Sequence, residues 1–181
     1  MKYAAININF DSLSEMYGFP KGYRDPSFFE ISKRFFSLSE KYGFKYSIYV
    51  IGKDLEEDQH ARAVKEWSDR GHEIGNHSWS HPLNLGALPP DDIRRQVRSA
   101  HEIIARVTGR APRGFIAPGW STSKELVKAL IEMDYVYDTS TFPSWVLYPM
   151  MAKMLWNHKG GEKFGQIFLS TPWEVVHQLM D

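Results

Sequence analysis

Two histidines and one aspartate are the residues of this 181-residue chain whose types and spacing best suit metal chemistry. His77 and His81 lie four positions apart, and at a helical i, i+4 spacing two imidazoles share one face and can bind one ion. Two surface histidines at a helix start would show the same spacing, so the pair calls for a third ligand. Asp11 is the best candidate, because two histidines and one carboxylate leave positions open for water and substrate. Its alternative role is to cap backbone amides at the start of a loop.

The composition restricts this chemistry further. The chain has no cysteine, which excludes disulfides, thiolate ligands and cysteine nucleophiles, so nitrogen and oxygen atoms must bind any metal. The 22 basic residues balance 22 acidic ones, and this balance favours neither nucleic acid nor an anionic membrane as partner. With 43% hydrophobic and 24% charged residues, the composition is that of one globular domain, which we place over residues 1–181.

The N-terminal residues begin a β-like pattern and lack the basic stretch and long apolar segment of a signal peptide. The most apolar window, residues 142–156, is interrupted by Pro143, Pro149 and Lys153. It is also shorter than the roughly 18 to 20 apolar residues that a membrane span needs. We therefore expect a soluble, cytoplasmic protein without a membrane span. The oligomeric state is left open.

Strand and helix patterns alternate along the chain. The strand patterns cover residues 3–10, 44–51, 72–75, 114–117 and 135–138. The helix patterns cover residues 26–42, 56–70, 90–108 and 122–133. Asp25 is expected to cap the first helix, Gly43 to end it, and Ser121 or Thr122 to cap the last one. This alternation is typical of a parallel sheet covered by helices, and therefore of an α/β fold.

Such a sheet would position the chemistry at one edge. In parallel α/β folds the functional groups gather at the carboxyl ends of the strands. Asp11, His77, Pro118 and Asp138 all fall at or just beyond the end of a predicted strand. The pattern therefore predicts that these residues share one site.

Several stretches of the sequence resemble the motifs of a known family. Residues 71–81 read GHEIGNHSWSH and resemble the second motif of the polysaccharide deacetylases (NodB-homology domains, carbohydrate esterase family 4), which supplies two metal histidines. Further stretches occur in the family's order: NFDS at 9–12, GFIAPGW at 114–120 and YVYDTS at 135–140. The resemblance covers about residues 1–142 and implies a distorted (β/α) barrel of about seven parallel strands. Because the chain stops earlier than most members, the presence of the last strand is left open.

The resemblance implies a metal-dependent hydrolase that removes an acetyl or related acyl group from an N-acetylated amino sugar or glycan. In this family an aspartate acts as base, an arginine orients that aspartate, and a late histidine protonates the leaving amine. The metal ligands would be Asp11, His77 and His81, with zinc as the first choice and cobalt, nickel or iron as alternatives. The third motif would supply the residues that contact substrate: Phe115, Pro118, Gly119 and Trp120.

The first motif aligns with the family in two ways. If it corresponds to adjacent aspartates, Asp11 is the base and Ser12 stands at the ligand position. If it corresponds to Asp-x-Asp, Asp11 is the ligand and Asn9 replaces the base. We favour the second alignment, because serine is a poor neutral ligand for a divalent ion. Ile116 stands where relatives carry the arginine, and we interpret Asn9 and Ile116 as one compensated change, since an unpaired buried guanidinium is costly.

The remaining acid–base groups are less well matched. Arg110 or Arg113 is the alternative source of the missing positive charge. Asp138 is a candidate substitute base, and its alternative role is to bind the next two backbone amides in a turn. His177, in the stretch VVH, is a weak analogue of the late histidine. These departures make a second hypothesis necessary: an impaired or repurposed deacetylase-like domain that binds metal and glycan without efficient turnover.

Overall fold

The computed structural model describes residues 4–11, 19–20, 23, 25 and 27–141. Over these residues the strands form one parallel sheet in the order β1-β2-β3-β4-β5. The strands are β1 (Ile6–Phe10), β2 (Tyr46–Val50), β3 (Glu73–Asn76), β4 (Gly114–Phe115) and β5 (Tyr137–Asp138). The helices are α1 (Ser27–Tyr42), α2 (Asp58–Asp69), α3 (Pro90–Thr108) and α4 (Lys124–Glu132). Short 3-10 turns lie at Gly52–Glu56, Leu85–Ala87 and Pro118–Trp120.

The predicted alternation of strands and helices is confirmed. The helix predicted over residues 90–108 has those bounds, and Gly109 ends it in the left-handed conformation. The last helix begins later than predicted, because the side chain of Ser123 accepts a hydrogen bond from the Leu126 amide. The prediction of Ser121 or Thr122 as its cap is therefore wrong. The capping role of Asp25 stays a prediction.

Each strand pairs with the next strand along the chain, so every crossover moves in the same direction across the sheet. Right-handed crossovers in this order put the helices on one face of the sheet. The larger core cluster lies between that face and α1, α2 and α3, and its members include Phe10, Phe28, Ile48, Trp67 and Ile104. A second cluster joins α3 and α4 to β4. The α/β class is therefore confirmed.

The opposite face of the sheet combines glycines with tyrosines. A β-carbon on Gly75 would lie 2.5 Å from the ring of Tyr49, so this strand position has room for glycine alone. A β-carbon on Gly114 would likewise overlap the ring of Tyr137 on β5. The rings of Tyr49 and Tyr137 therefore pack against two glycines on this face. The barrel of about seven strands stays a prediction, because residues 142–181 lie outside the described part of the chain.

None of the described helices is long and apolar enough to cross a membrane.

Candidate metal centre

Asp11 follows directly after β1, where the buried ring of Phe10 fixes the end of the strand. Phe10 packs edge-on against Phe28 at 4.5 Å and against Trp67 at 4.7 Å between ring centroids. Because alternate residues of a strand point to opposite faces, a buried Phe10 turns the next side chain away from the helices. The Asp11 carboxylate thus lies at the carboxyl edge of the sheet.

His77 follows directly after β3 and is almost fully buried, with 1% of its surface exposed. Its backbone amide donates to the carbonyl of Val50 at 3.0 Å. Its Nδ1 lies 2.7 Å from the carbonyl oxygen of Ile116. A carbonyl can only accept, so Nδ1 carries the proton and Nε2 keeps its lone pair free to act as a ligand. Hydrogen bonds of this kind commonly orient histidines that bind metals.

His81 reaches the same place by a loop rather than by a helix. Ser78 and His81 have left-handed φ angles of 66° and 57°, so the prediction of a helical i, i+4 arrangement is wrong. Each such residue costs about 1–2 kcal/mol relative to ordinary backbone. Local bonds stabilise the loop, since the Ser78 amide donates to Asn76 Oδ1 at 2.7 Å and the His81 amide donates to Ser78 Oγ at 3.1 Å. The two imidazoles still meet, with ring centroids 4.7 Å apart.

The three side chains converge on one point. Nε2 of His77 lies 3.8 Å from Asp11 Oδ1, and Nε2 of His81 lies 3.5 Å from Asp11 Oδ2. One ligand atom from each residue falls within 4.8 Å of the other two. Two bonds of about 2.1 Å at a tetrahedral angle separate their ligand atoms by about 3.4 Å, so the set fits a divalent ion. In the described part of the chain it is the one group of three acidic or histidine side chains close enough to do so.

The electrostatics favour the protonation state that metals require. Burial lowers the pKa of His77 and of His81 below the ordinary value, while the nearby Asp11 carboxylate acts in the opposite direction. Both imidazoles are therefore kept neutral near pH 7. Neutral imidazole nitrogens and an ionised carboxylate are the forms that bind a metal ion. Asp54 also opposes the lowering of the His81 pKa, though less than Asp11 does.

The comparison with known proteins identifies the family of the chain. The sequence profile described as polysaccharide deacetylase matches residues 5–137, well over half of the chain. This chain belongs to the polysaccharide deacetylase family.

Individual relatives match this chain over part of their length. The peptidoglycan-N-acetylglucosamine deacetylase of Bacillus cereus is 33% identical over 89 residues, which are 49% of this chain and 31% of that protein. The chain spans about a third of the length of the first curated relatives that it matches.

Two solved structures share the fold. A CE4 family pseudoenzyme from Bacillus anthracis has a TM-score of 0.58 at 22% identity, over 74% of this chain and 42% of that one. A family 4 acetyl xylan esterase from Clostridium thermocellum, solved with a cobalt ion, has a TM-score of 0.53 at 26% identity, over 70% of this chain and 54% of that one.

The positions where the chain departs from its family's pattern lie on β1 and directly after β4. Asn9 is exposed on β1 and pairs in register with Tyr49. Ile116 is buried, and its backbone carbonyl orients His77. Arg110 and Arg113 are exposed and precede β4, so they lie toward the amino edge of the sheet, away from Asp11. This placement does not support a shifted arginine as the missing charge.

Asp138 is engaged in a turn. Its Oδ1 accepts from the backbone amide of Ser140 at 2.9 Å and also from the Ser140 hydroxyl. The amide of Thr139 donates instead to the carbonyl of Phe115 at 2.9 Å. The turn role is therefore found for one of the two expected amides. Burial raises the pKa of Asp138, which would suit a base, but two of its lone-pair positions are already used.

The third motif divides into buried and exposed parts. Phe115 is fully buried in the second core cluster, a placement that speaks against direct contact with a large substrate. Pro118 is also buried. Gly119 has a left-handed φ of 59°, and Trp120 is 43% exposed. His177 and the apolar window at residues 142–156 lie outside the described residues.

Residue patterns alone missed two contributors to the site. The carbonyl of Ile116 has no side-chain signal, because any residue type supplies it. Asn76 ends β3 as a fully buried amide, whose Nδ2 donates to the Val97 carbonyl at 2.9 Å and to the Tyr135 hydroxyl at 2.6 Å. A polar residue between the end of a predicted strand and a candidate ligand was the available signal, since buried amides require partners.

Proposed function

We propose that this deacetylase-family chain is a metal-dependent hydrolase that removes an acetyl or similar acyl group from an N-acetylated amino sugar within a glycan. The observation that carries the proposal is the convergence of Asp11, His77 and His81 at the carboxyl edge of a parallel sheet. Zinc is the ion that this ligand set suits first, and cobalt is the ion that the related acetyl xylan esterase holds. The cytoplasmic location stays a prediction.

The chain's own residues have defined tasks in this reaction. Asp11 and the two histidines would hold the ion, and the Ile116 carbonyl keeps Nε2 of His77 available. When bound, such an ion supplies Lewis-acid polarisation of a carbonyl and a lower pKa for water. Water and the amide then give the free carboxylic acid and the free amine. Asn9 can donate and accept hydrogen bonds at the position of the base, but its amide does not take up a proton at neutral pH.

An exposed apolar surface formed by Leu83 and Trp120 follows the candidate site along the chain, two residues after His81 and four after Ile116. Trp120 is 43% exposed and Leu83 is 50% exposed. They are held together because the backbone at Gly119 lies against Leu83, where a β-carbon would be 3.2 Å from the Leu83 carbonyl oxygen. Aromatic side chains offer a large apolar contact area, which suits an amphipathic ligand such as a sugar ring. We infer that this surface helps to hold the glycan.

The test is the release of acetate from N-acetylglucosamine oligomers and from peptidoglycan by protein that has been stripped and reloaded with zinc or cobalt. Acetate should appear only with the metal, and Asp11→Asn and His77→Ala should abolish it. Asp58→Asn is the matched control, because it makes the same change at an exposed aspartate of α2. Equal release by metal-free protein or by Asp11→Asn would contradict the proposal.

Asn9 and Ile116 favour a second candidate function, in which the chain binds metal and glycan without efficient turnover. Loss of a proton-transfer group typically reduces catalysis by about 10²- to 10⁴-fold. Under this alternative, the purified protein should retain close to one metal ion per chain and bind the same oligomers, and acetate release should stay at the background rate. Both measurements use the proteins of the preceding assay.

A further inference from the structure

The loop from His77 to His81 is fixed from outside by one side chain of α3. Gln96 Oε1 accepts from the backbone amide of Trp79 at 3.1 Å and from that of Ser80 at 2.9 Å. Gln96 Nε2 donates to the Ser80 hydroxyl at 2.9 Å. One half-buried glutamine therefore makes three hydrogen bonds to Trp79 and Ser80, two of the three residues between the candidate ligands.

These bonds satisfy backbone amides in the part of the loop that has no local side-chain acceptor. The Ser78 and Asn76 side chains bind the amides of His81 and Ser78, so the two ends of the loop have local partners. Among the described residues, Gln96 is the sole acceptor for the amides of Trp79 and Ser80. Without it, two backbone donors would lose their partner in a loop that already holds non-glycine residues at left-handed φ angles.

The neighbouring backbone strengthens the same connection. The Val97 carbonyl accepts from Asn76 Nδ2 at 2.9 Å, so successive residues of α3 contact both the start and the middle of the loop. On the other side, the amides of Gly52 and Lys53 donate to the carbonyls of Ser78 and Trp79 at 3.0 and 2.8 Å. The loop is thus held between α3 and the turn after β2, and Gln96 is the side chain that joins it to α3.

We propose that Gln96 is a positioning residue that sets the separation of the His77 and His81 imidazoles and thereby the affinity of the metal centre. Its three hydrogen bonds go to Trp79 and Ser80 and to none of the candidate ligand side chains. This inference rests on the proposed metal-dependent function and names the residue on which the geometry of that site depends. Supporting groups of this kind typically change metal affinity by about 10- to 100-fold when they are removed.

The test measures zinc and cobalt dissociation constants by competition with a chromophoric chelator, together with the visible absorption spectrum of the cobalt-loaded protein. Gln96→Ala should weaken binding by about 10- to 100-fold and change the cobalt spectrum. Gln96→Glu keeps an acceptor for both amides and should bind within a few-fold of wild type. Arg95→Ala is the matched control, because Arg95 is the exposed neighbour on α3 and its partner is Asp92.

Each outcome decides a different question. If Gln96→Ala binds both ions as wild type does, with an unchanged spectrum, the positioning role is overturned while the metal centre stands. If wild type and Arg95→Ala also fail to bind, the metal centre and this inference fall together. Should Gln96→Ala not fold, Gln96→Met retains the packing of the side chain without the acceptor, and weak binding there beside tight binding in Gln96→Glu supports the proposal.

Discussion

At the scale of single residues, the two candidate histidine ligands are positioned by different means. His77 is oriented by its ring, through the hydrogen bond from Nδ1 to the Ile116 carbonyl. His81 is positioned by its backbone, through a left-handed φ of 57° and a hydrogen bond to Ser78 Oγ. Substitutions that change the shape of the loop should therefore affect His81 first, whereas changes at β4 should affect His77.

Restoring the family's base and arginine should raise activity. The double variant Asn9→Asp with Ile116→Arg supplies a proton acceptor on β1 and an arginine directly after β4. We expect acetate release to increase by about 10²-fold or more, since a general base typically contributes about 10²- to 10⁴-fold. The measurement is kcat/KM for acetate release from N-acetylglucosamine oligomers with zinc-loaded protein.

The single variant Ile116→Arg provides the control for this pair. Ile116 is 7% exposed, so Ile116→Arg alone buries a guanidinium without its aspartate and should lower the free energy of unfolding. The double variant should recover part of that loss. A folded double variant without any gain in activity would count against the alignment in which Asn9 replaces the base.

His72 makes the stability of the protein depend on pH. Burial lowers its pKa, and its Nδ1 accepts from the Tyr46 amide at 3.1 Å, a bond that requires the neutral ring. The unfolded chain, with an ordinary histidine pKa of about 6.5, therefore binds a proton more readily than the folded protein does. The contribution of His72 to stability is complete above that value and is lost as the pH falls below it.

The variant His72→Asn tests this dependence, because the asparagine oxygen can accept from Tyr46 without titrating. Urea unfolding at pH 7.5 and at pH 5.5 should show a smaller loss of stability in the variant than in wild type. The other buried histidines are present in both proteins, so the difference between them isolates His72. An identical loss in both proteins would contradict the assignment.

At the scale of elements, the packing of tyrosine rings over glycines determines how the strands fit together. Gly75→Ala should lower the free energy of unfolding by about 1–3 kcal/mol, the usual cost of overpacking, because its β-carbon would lie 2.5 Å from the Tyr49 ring. In a Tyr49→Leu background the added cost of the alanine should fall. Urea unfolding of the four proteins measures this coupling, and an unaffected Gly75→Ala protein would show that the ring moves away without cost.

Some of these elements could be predicted from sequence and others could not. The 90–108 helix carries its own signals, with Pro90 and two aspartates in the first turn and Gly109 after the last. The start of α4 does not, since Ser121, Thr122 and Ser123 are all good caps and tertiary contacts decide among them. Ser121 Oγ instead accepts from the Gly86 amide at 3.0 Å. The left-handed loop between the histidines likewise depends on Gln96, which lies in another element.

At the scale of the whole molecule, the alternation of strands and helices was enough to predict that Asp11 and His77 meet. They follow β1 and β3, which are not adjacent, and β2 lies between them. A parallel sheet aligns the carboxyl ends of all its strands, so residues 66 positions apart in sequence reach one edge without any local signal linking them. The convergence of these two side chains was therefore predictable, while their distances required the folded chain. Their role as metal ligands stays a prediction.

Because the ligands come from separate strands, metal binding should stabilise the whole fold. An ion that binds only the folded state at a free concentration of 100 times its dissociation constant adds about 2.7 kcal/mol. For a chain of this size that corresponds to a rise in Tm of about 5–11 °C. Thermal unfolding of stripped protein with and without zinc should show this rise in wild type and in Asp58→Asn, and Asp11→Asn should lose it. The ion should favour the folded state because the unfolded chain does not hold Asp11 beside His77 and His81. An equal rise in Asp11→Asn would mean that the ion binds the folded protein at a different site.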